Sequence, residues 1–254
     1  MNKKIEILSE PEVVDMADDW YVHATNKHFW IKSRFRAIRN CKPLFSNKKS
    51  KLFEIGCGNG AIINQFEANS DIIIDGCDLN MFALEQIKDE KGKVYCLNIY
   101  DKPSKLLNQY DGIILMDVIE HIDDDVDFVK TGMSYSKSGG YVVINVPALN
   151  SLFSKYDVAA GHKRRYTKKM LRDLFEQCNI EEVRIQYWGL SLIPIAILRK
   201  FVLLFVSKKK VIETGFKPPS SFINKLFNAM LAFENKIMNS PFLGTSVIAV
   251  GKIK

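Results

Sequence analysis

Four histidines carry the chain's acid–base potential near neutral pH, and two of them stand among residues that could use it. His162 lies in AAGHKRRYT. Asp157, five residues earlier, is placed to orient its imidazole, and Arg164 and Arg165 just after it could grip an anionic group bidentately. A histidine held this way takes the proton from a hydroxyl as its oxygen attacks an electrophile. The competing reading is a structural loop, with His162 as a cap and the arginines paired to helix acids such as Asp173. His121 closes DVIEH, in which Asp117, Glu120 and His121 stand at i, i+3 and i+4, one face of a helical turn. That trio could supply a second base, line a cofactor, or hold a divalent metal through two carboxylates and an imidazole. The neighbouring run Asp123–Asp125 reads as a helix start, where acids suit the dipole.

A second constellation is LFEIGCGNG at 52–60. Glycines placed where a strand turns into a helix let backbone N–H groups approach an anionic or polar ligand closely. Two ligands fit. Gly56, Gly58 and Ala61 satisfy the dinucleotide pattern G-x-G-x-x-G/A, and Asp78 stands about 20 positions on as a ribose acid. Glu54, Gly56, Gly58 and Gly60 satisfy acid-x-G-x-G-x-G, which also explains an acid inside an apolar strand: a cationic amino group on the ligand, as in S-adenosylmethionine, would partner it. Cys57 reads as a small buried residue that contributes its backbone.

Short apolar runs must position these groups. KLFEI (51–55), DIIIDGC (71–77), KVYCL (93–97), YDGIILM (110–116) and GYVVINV (140–146) alternate with helical stretches near 60–69, 81–90, 103–109 and 122–137. That alternation predicts βαβ units and a parallel sheet buried on both faces. A helix at 167–178 and strands at 181–188 and 244–253 complete the set. The expected organisation is an N-terminal helical cap over 1–48, a core over 49–188 and 243–254, and a helical insertion over 189–242. In the cap, mixed three- and four-residue spacing predicts helix over 10–40; His28 and Trp30, with Trp20 and Tyr21, either fold over the cofactor as a lid or simply pack in the core.

The net charge of +7 is uneven: residues 1–154 carry −4 and residues 155–254 carry +11. A basic C-terminal part suits an anionic membrane surface, nucleic acid or a phosphorylated substrate, or is simply a lysine-rich soluble surface. The insertion opens GLSLIPIAILRKFVLLFVSKKK, apolar but interrupted by Arg199 and Lys200, so it predicts an interfacial helix or a hydrophobic lid rather than a span. Five scattered cysteines without a CxxC pair and an N-terminus without an apolar core point to a cytoplasmic setting, and an interfacial insertion would add a peripheral place at the membrane's inner face.

Taken together, the blocks FEIGCGNG, GCDLN, CLNIYDKP, YDGIILMDVIEHIDD and SKSGGYVVINVP resemble, in order, the motifs of class I S-adenosylmethionine-dependent methyltransferases. The resemblance implies a Rossmann-like α/β sheet of seven strands, mostly parallel, in the order 3-2-1-4-5-7-6. It implies S-adenosylmethionine as cofactor, S-adenosylhomocysteine as product, and a cofactor site of Glu54, Gly56, Cys57, Gly58, Asn59, Gly60, Asp78, Leu79, Asn98, Ile99, Asp117 and Val118. Asn98 stands where the family often has Asp. HFWIKSRFRAI, GHKRRYT and GTSVIAVGK resemble one bacterial group linked to surface-polysaccharide, lipid or secondary-metabolite pathways, and DVIEH is similar to the ubiquinone-pathway O-methyltransferases. These imply O-methylation of a small-molecule, sugar or lipid-linked acceptor, with His162, His121 and Asp157 as the catalytic group and Arg164, Arg165, Tyr166, Trp30 and His28 against the acceptor. Metal at Asp117, Glu120 and His121 is the lesser reading. The rivals are an NAD-dependent oxidoreductase and a non-catalytic, membrane-associated cofactor binder. No N/D-P-P-Y-like block follows the fourth strand, so nucleic acid is not an expected partner.

Overall fold

A computed structural model of the chain describes residues 5–12, 18–40, 50–88, 91–217, 220–238 and 240–254. Parts of the expected 10–40 helix and of the 81–90 helix, and Cys41, fall outside these residues. Eight strands form one sheet: β1 (Ile5–Ile7), β2 (Lys51–Ile55), β3 (Ile73–Asp78), β4 (Val94–Cys96), β5 (Tyr110–Met116), β6 (Ser136–Pro147), β7 (Ile180–Trp188) and β8 (Ser246–Ile253). Their order is β1-β4-β3-β2-β5-β6-β8-β7. All neighbours are parallel except β8, which runs antiparallel to both β6 and β7. Without β1 this is the predicted order. The added strand corrects the count of seven. Ile5, Glu6 and Ile7 of the expected helical cap pair in register with Val94, Tyr95 and Cys96. Three residues are too few for a sequence periodicity to register.

The apolar runs form strands because both faces of the sheet are covered. Along β5, Ile113 and Leu115 enter one core with Phe53, Val142 and Ile144, while Ile114 and Met116 enter the other with Leu52, Ile74 and Val143. Helices α2 (Phe29–Arg39), α3 (Ala61–Glu67) and α4 (Met81–Leu84) supply Ile38, Ile62, Ile63 and Leu84 to the second core. Helices α5 (Asp125–Met133) and α7 (Lys168–Gln177) supply Val129, Leu171 and Phe175 to the first. The short helices α1 (Asp18–His23) and α6 (Lys155–Ala159) lie nearer the site.

Three predicted helices are shorter than expected. The 81–90 stretch makes one turn, α4. The 103–109 stretch makes a single 3-10 turn, Ser104–Leu106, flanked by Lys102 and Asn108 at positive φ. The 122–137 stretch yields to β6 at Ser136, four residues before the expected strand start, through a bulge between Tyr110 and Gly112. Gly140 fits there because a Cβ would lie 2.2 Å from Ser136 Oγ.

The insertion is helical: a 3-10 turn at Leu190–Leu192, then α8 (Ile193–Leu204), α9 (Val211–Phe216) and α10 (Ser221–Ile237). Its two ends are tied together by the buried Glu234 carboxylate of α10, which accepts from Gly189 N (2.8 Å), Leu190 N (3.0 Å) and Ser191 N (2.8 Å). These are the unpaired donors of a helical turn, satisfied by an anion.

Candidate active site

The carboxyl ends of β2, β3 and β5 build one wall. Gly56, Gly58 and Gly60 all have positive φ (72°, 52° and 71°), and Gly60 opens α3 with no side-chain cap. A Cβ on Gly56 would fall 2.6 Å from Val118 Cγ2, and one on Gly58 2.7 Å from Tyr21 Cε1. Asn59 donates to the Tyr21 and Ala24 carbonyls at 3.1 and 3.2 Å, so the first cap helix is tied directly to the loop. Asp78 ends β3. Its Oδ2 accepts from Gly58 N and its Oδ1 from Asn80 N, each at 2.9 Å. Burial raises its pKa while these N–H groups hold it down. The carboxylate retains acceptor capacity for a ligand hydroxyl. Leu79 accepts from Glu12 N at 3.2 Å, and Asn98 N donates to Ser9 Oγ at 2.8 Å, so the segment after β1 crosses this end of the sheet. The Asn98 side chain caps a 3-10 turn at Tyr100 N, and Ile99 is buried. Cys57 is buried and burial lifts its thiol well above the usual range, leaving it no thiolate nucleophile. Glu54 is buried on β2, paired across with Gly76 and Ile114.

Asp117 follows β5 at φ 61° and heads a buried polar chain. Arg34 Nη1 donates to its Oδ2 at 2.7 Å and Asn145 Nδ2 to its Oδ1 at 2.9 Å; Trp188 Nε1 in turn donates to Asn145 Oδ1 at 2.8 Å. Burial pushes the Asp117 carboxyl up and the Arg34 guanidinium pulls it back. Arg34 also lies 5.1 Å over the Trp30 ring. Neither Arg34 nor Asn145 was a sequence candidate. Arg34 sits on the buried side of α2, where a lone cation among apolar residues is the only signal.

Beyond Asp117, a single 3-10 turn at Ile119–His121 replaces the expected α-helical face. The predicted metal trio is therefore not assembled, since Asp117 is committed to Arg34 and Asn145. Among the described residues the ligand-bearing groups that converge are Glu120, His121 and His162, within 4.8 Å of one another. Glu120 is fully buried, neither carboxylate oxygen has a hydrogen-bond partner, and burial followed by Asp117 raises its pKa well above the ordinary value. Burial also drives His121 down to about 3, so it is neutral.

His162 Nδ1 donates to Asp157 Oδ1 at 3.0 Å, which leaves Nε2 as the free lone pair. Asp157 is fully buried, boxed with Ser154 at the start of α6, and accepts from Arg165 Nε at 2.7 Å. Burial opposes its charge, yet the His162 hydrogen bond and the Arg165 cation hold its carboxyl well below the usual range. Arg165 also donates to the Ala148 carbonyl at 3.0 Å, so it braces the dyad. The structure takes two predicted acceptor contacts elsewhere. Arg164 reaches Asp125 and the Asp123 carbonyl, and the Tyr166 hydroxyl donates to Asp125 at 2.6 Å. The expected pairing of an arginine with Asp173 is replaced by Lys169.

A cavity of about 320 Å³ opens beside Asp117, Glu120, His162 and Arg165. Its other walls are mostly apolar and come from the cap (Trp20, His28, Trp30) and from α8 and α9. His28 caps α2 by accepting from Trp30 N at 3.1 Å, donates from Nε2 to the Phe216 carbonyl at 2.8 Å, and stacks on the Phe216 ring. Arg199, which interrupts the apolar run of the insertion, also lines this cavity. It lies 4.6 Å over the Tyr156 ring, donates to the Gly215 carbonyl at 3.1 Å, and has a buried Nε with no partner.

A family profile described as a methyltransferase domain matches residues 23–185. The chain belongs to this methyltransferase-domain family. The match disfavours the NAD-linked reading of the glycine loop. Solved structures of similar fold include a SAM dependent methyltransferase from Archaeoglobus fulgidus, with 16% identity, a TM-score of 0.56, and coverage of 87% of this chain and 94% of that one. Phosphoethanolamine N-methyltransferase 2 of Haemonchus contortus, solved with S-adenosyl-L-methionine, shares 14% identity with a TM-score of 0.55, over 85% of this chain and 52% of that one. The cyclase SpnF shares 12% identity with a TM-score of 0.58, over 87% of this chain and 80% of that one. At such identities the likeness is one of fold, and the cyclase illustrates that this fold hosts more than one reaction. A search of curated protein sequences found no match.

Proposed function

We propose that this methyltransferase domain binds S-adenosylmethionine and methylates a hydroxyl on an amphiphilic acceptor that carries an anionic group. Three features support the cofactor: the glycine loop of positive-φ residues, Asp78 with acceptor capacity to spare, and the buried Glu54 beneath them. When bound, the cofactor supplies a methyl carbon that bonds the acceptor oxygen as its bond to the positively charged sulfur breaks, leaving a neutral thioether. Gly56, Gly58 and Asp78 would hold it, with Val118 beside Gly56 and Asp117 bordering the acceptor cavity.

The observation that carries the reaction type is the Asp157–His162 dyad at the cavity wall. Asp157, kept ionised, fixes the tautomer and orients the ring, so Nε2 receives the hydroxyl proton. Trp20, Trp30 and Phe216 give the cavity apolar walls, which disfavour water beside the reacting atoms. The apolar walls fit an acyl or prenyl portion of the acceptor, and Arg199 fits its anion.

His162→Ala is expected to lower kcat by roughly 100- to 10,000-fold, the usual worth of a general base. Cofactor affinity by calorimetry should stay unchanged. Full turnover of a labelled methyl group by this variant would remove His162 as the base. Loss of cofactor binding would instead make it a binding residue.

A further inference from the structure

The outer surface of α8 is the strongest unassigned feature of the molecule. Helix α8 is apolar on nearly every side, a composition that belongs in a core or in lipid. One side lines the cavity. On the other, Phe201, Leu204 and Phe205 are 60%, 53% and 90% exposed, and Leu198, at the border of the two, is 64% exposed. Its two charges are both drawn back to protein. Arg199 donates to the Gly215 carbonyl, and Lys200 Nζ donates to the Ser151 carbonyl at 2.8 Å. An uncharged, aromatic-rich ridge is left, and exposed Lys208, Lys209 and Lys210 follow directly in the next 3-10 turn.

We infer that this ridge docks on an anionic lipid bilayer. An apolar face flanked by a lysine cluster matches a surface of acyl chains beneath anionic headgroups. The same three lysines disfavour a second copy of this basic chain as the occupant. At 12 residues, α8 lies on the bilayer rather than across it, and among the described residues no helix is long and apolar enough to span. Leu198 and Val202 belong both to the exposed ridge and to the cavity lining, so the docked face contains the cavity rim. A lipid-linked acceptor thus reaches His162 without crossing water. That last step rests on the proposed methylation; the docking does not.

The test is co-sedimentation of the full chain with vesicles, in the absence of methyl donor and acceptor, so its outcome is independent of turnover. Wild type should bind phosphatidylcholine vesicles doped with phosphatidylglycerol, bind pure phosphatidylcholine far less, and release at high salt. K208Q/K209Q/K210Q should weaken binding on the order of 100-fold, at about a fivefold loss per lysine. F201S/F205S should weaken it at least roughly tenfold. Circular dichroism and cofactor affinity, unchanged in both, establish that the variants fold. No binding to anionic vesicles, equal binding to neutral ones, or binding that survives either variant overturns the proposal. So does a stable wild-type dimer in sedimentation velocity that F201S/F205S breaks, which would assign the ridge to a second copy.

Discussion

Asp78 and Asp157 are both carboxylates withdrawn from water, and their partners send them in opposite directions. Backbone N–H groups of Asn80, Gly58 and Leu79 only partly offset burial at Asp78, whereas an imidazole and a guanidinium overwhelm it at Asp157. The first suits a group that accepts from hydroxyls, the second a permanent anion that orients a base. Asp78→Ala should weaken S-adenosylmethionine binding roughly 10- to 100-fold, the value of one or two hydrogen bonds to a charged acceptor. Calorimetric titration reads this, and an unaltered Kd would refute the ribose role. Arg199→Gln should raise KM for an anionic acceptor by about tenfold or more while sparing KM for a neutral analogue. An equal change for both would mean that Arg199 only props α8 against Tyr156.

At the scale of elements, the cap helix α2 depends on an unusual terminus. Its N-cap is His28, whose Nδ1 must be unprotonated to accept from Trp30 N. Burial lowers the His28 pKa to about 4, far below its ordinary 6.5. The unfolded chain therefore binds the proton first. Stability linked to His28 is complete above about 6.5, declines as pH falls, and is lost by about 4, an effect of order 3 kcal/mol. The melting temperature should fall from pH 7 to pH 4.5, and His28→Asn, which keeps a capping oxygen without titrating, should flatten that slope. An unchanged slope would place the acid sensitivity elsewhere, for instance at His121, whose pKa burial also lowers. The cap and the insertion are mutually dependent here, because the other imidazole nitrogen bonds the Phe216 carbonyl of α9.

Across the whole molecule, the acceptor cavity exists only between parts distant in sequence: the core's β5 end, the cap, and the insertion after β7. Glu234 ties α10 to the first turn of the insertion, at the end of β7, through three backbone donors, so Glu234→Ala should cost about 1–3 kcal/mol of unfolding free energy. It should also open the cavity, raising KM for the acceptor more than for the cofactor. Denaturant unfolding with kinetics on both substrates checks this; unchanged stability would show that the apolar contacts of α10 suffice.

Local patterns settled a good deal in advance. Apolar runs bounded by turns marked the seven core strands, because a strand buried on both faces must be apolar throughout. The glycines of 56–60 and Asp78 marked the ligand end, because a backbone at positive φ tolerates little else. Asp157 could be suspected beside His162 because a five-residue loop brings them together locally. Tertiary structure alone decided the rest. Arg34 meets Asp117 across 83 residues, and Arg199 meets Tyr156 between an insertion and the core. Asp117 leaves the metal-like trio for that distant arginine, and Arg164 and Tyr166 leave the cavity for Asp125. Short-range spacing encodes which backbone a segment adopts. The partner of a buried charge is chosen by whichever opposite charge the packed sheet and helices bring within hydrogen-bonding distance, and no local pattern carries that distance.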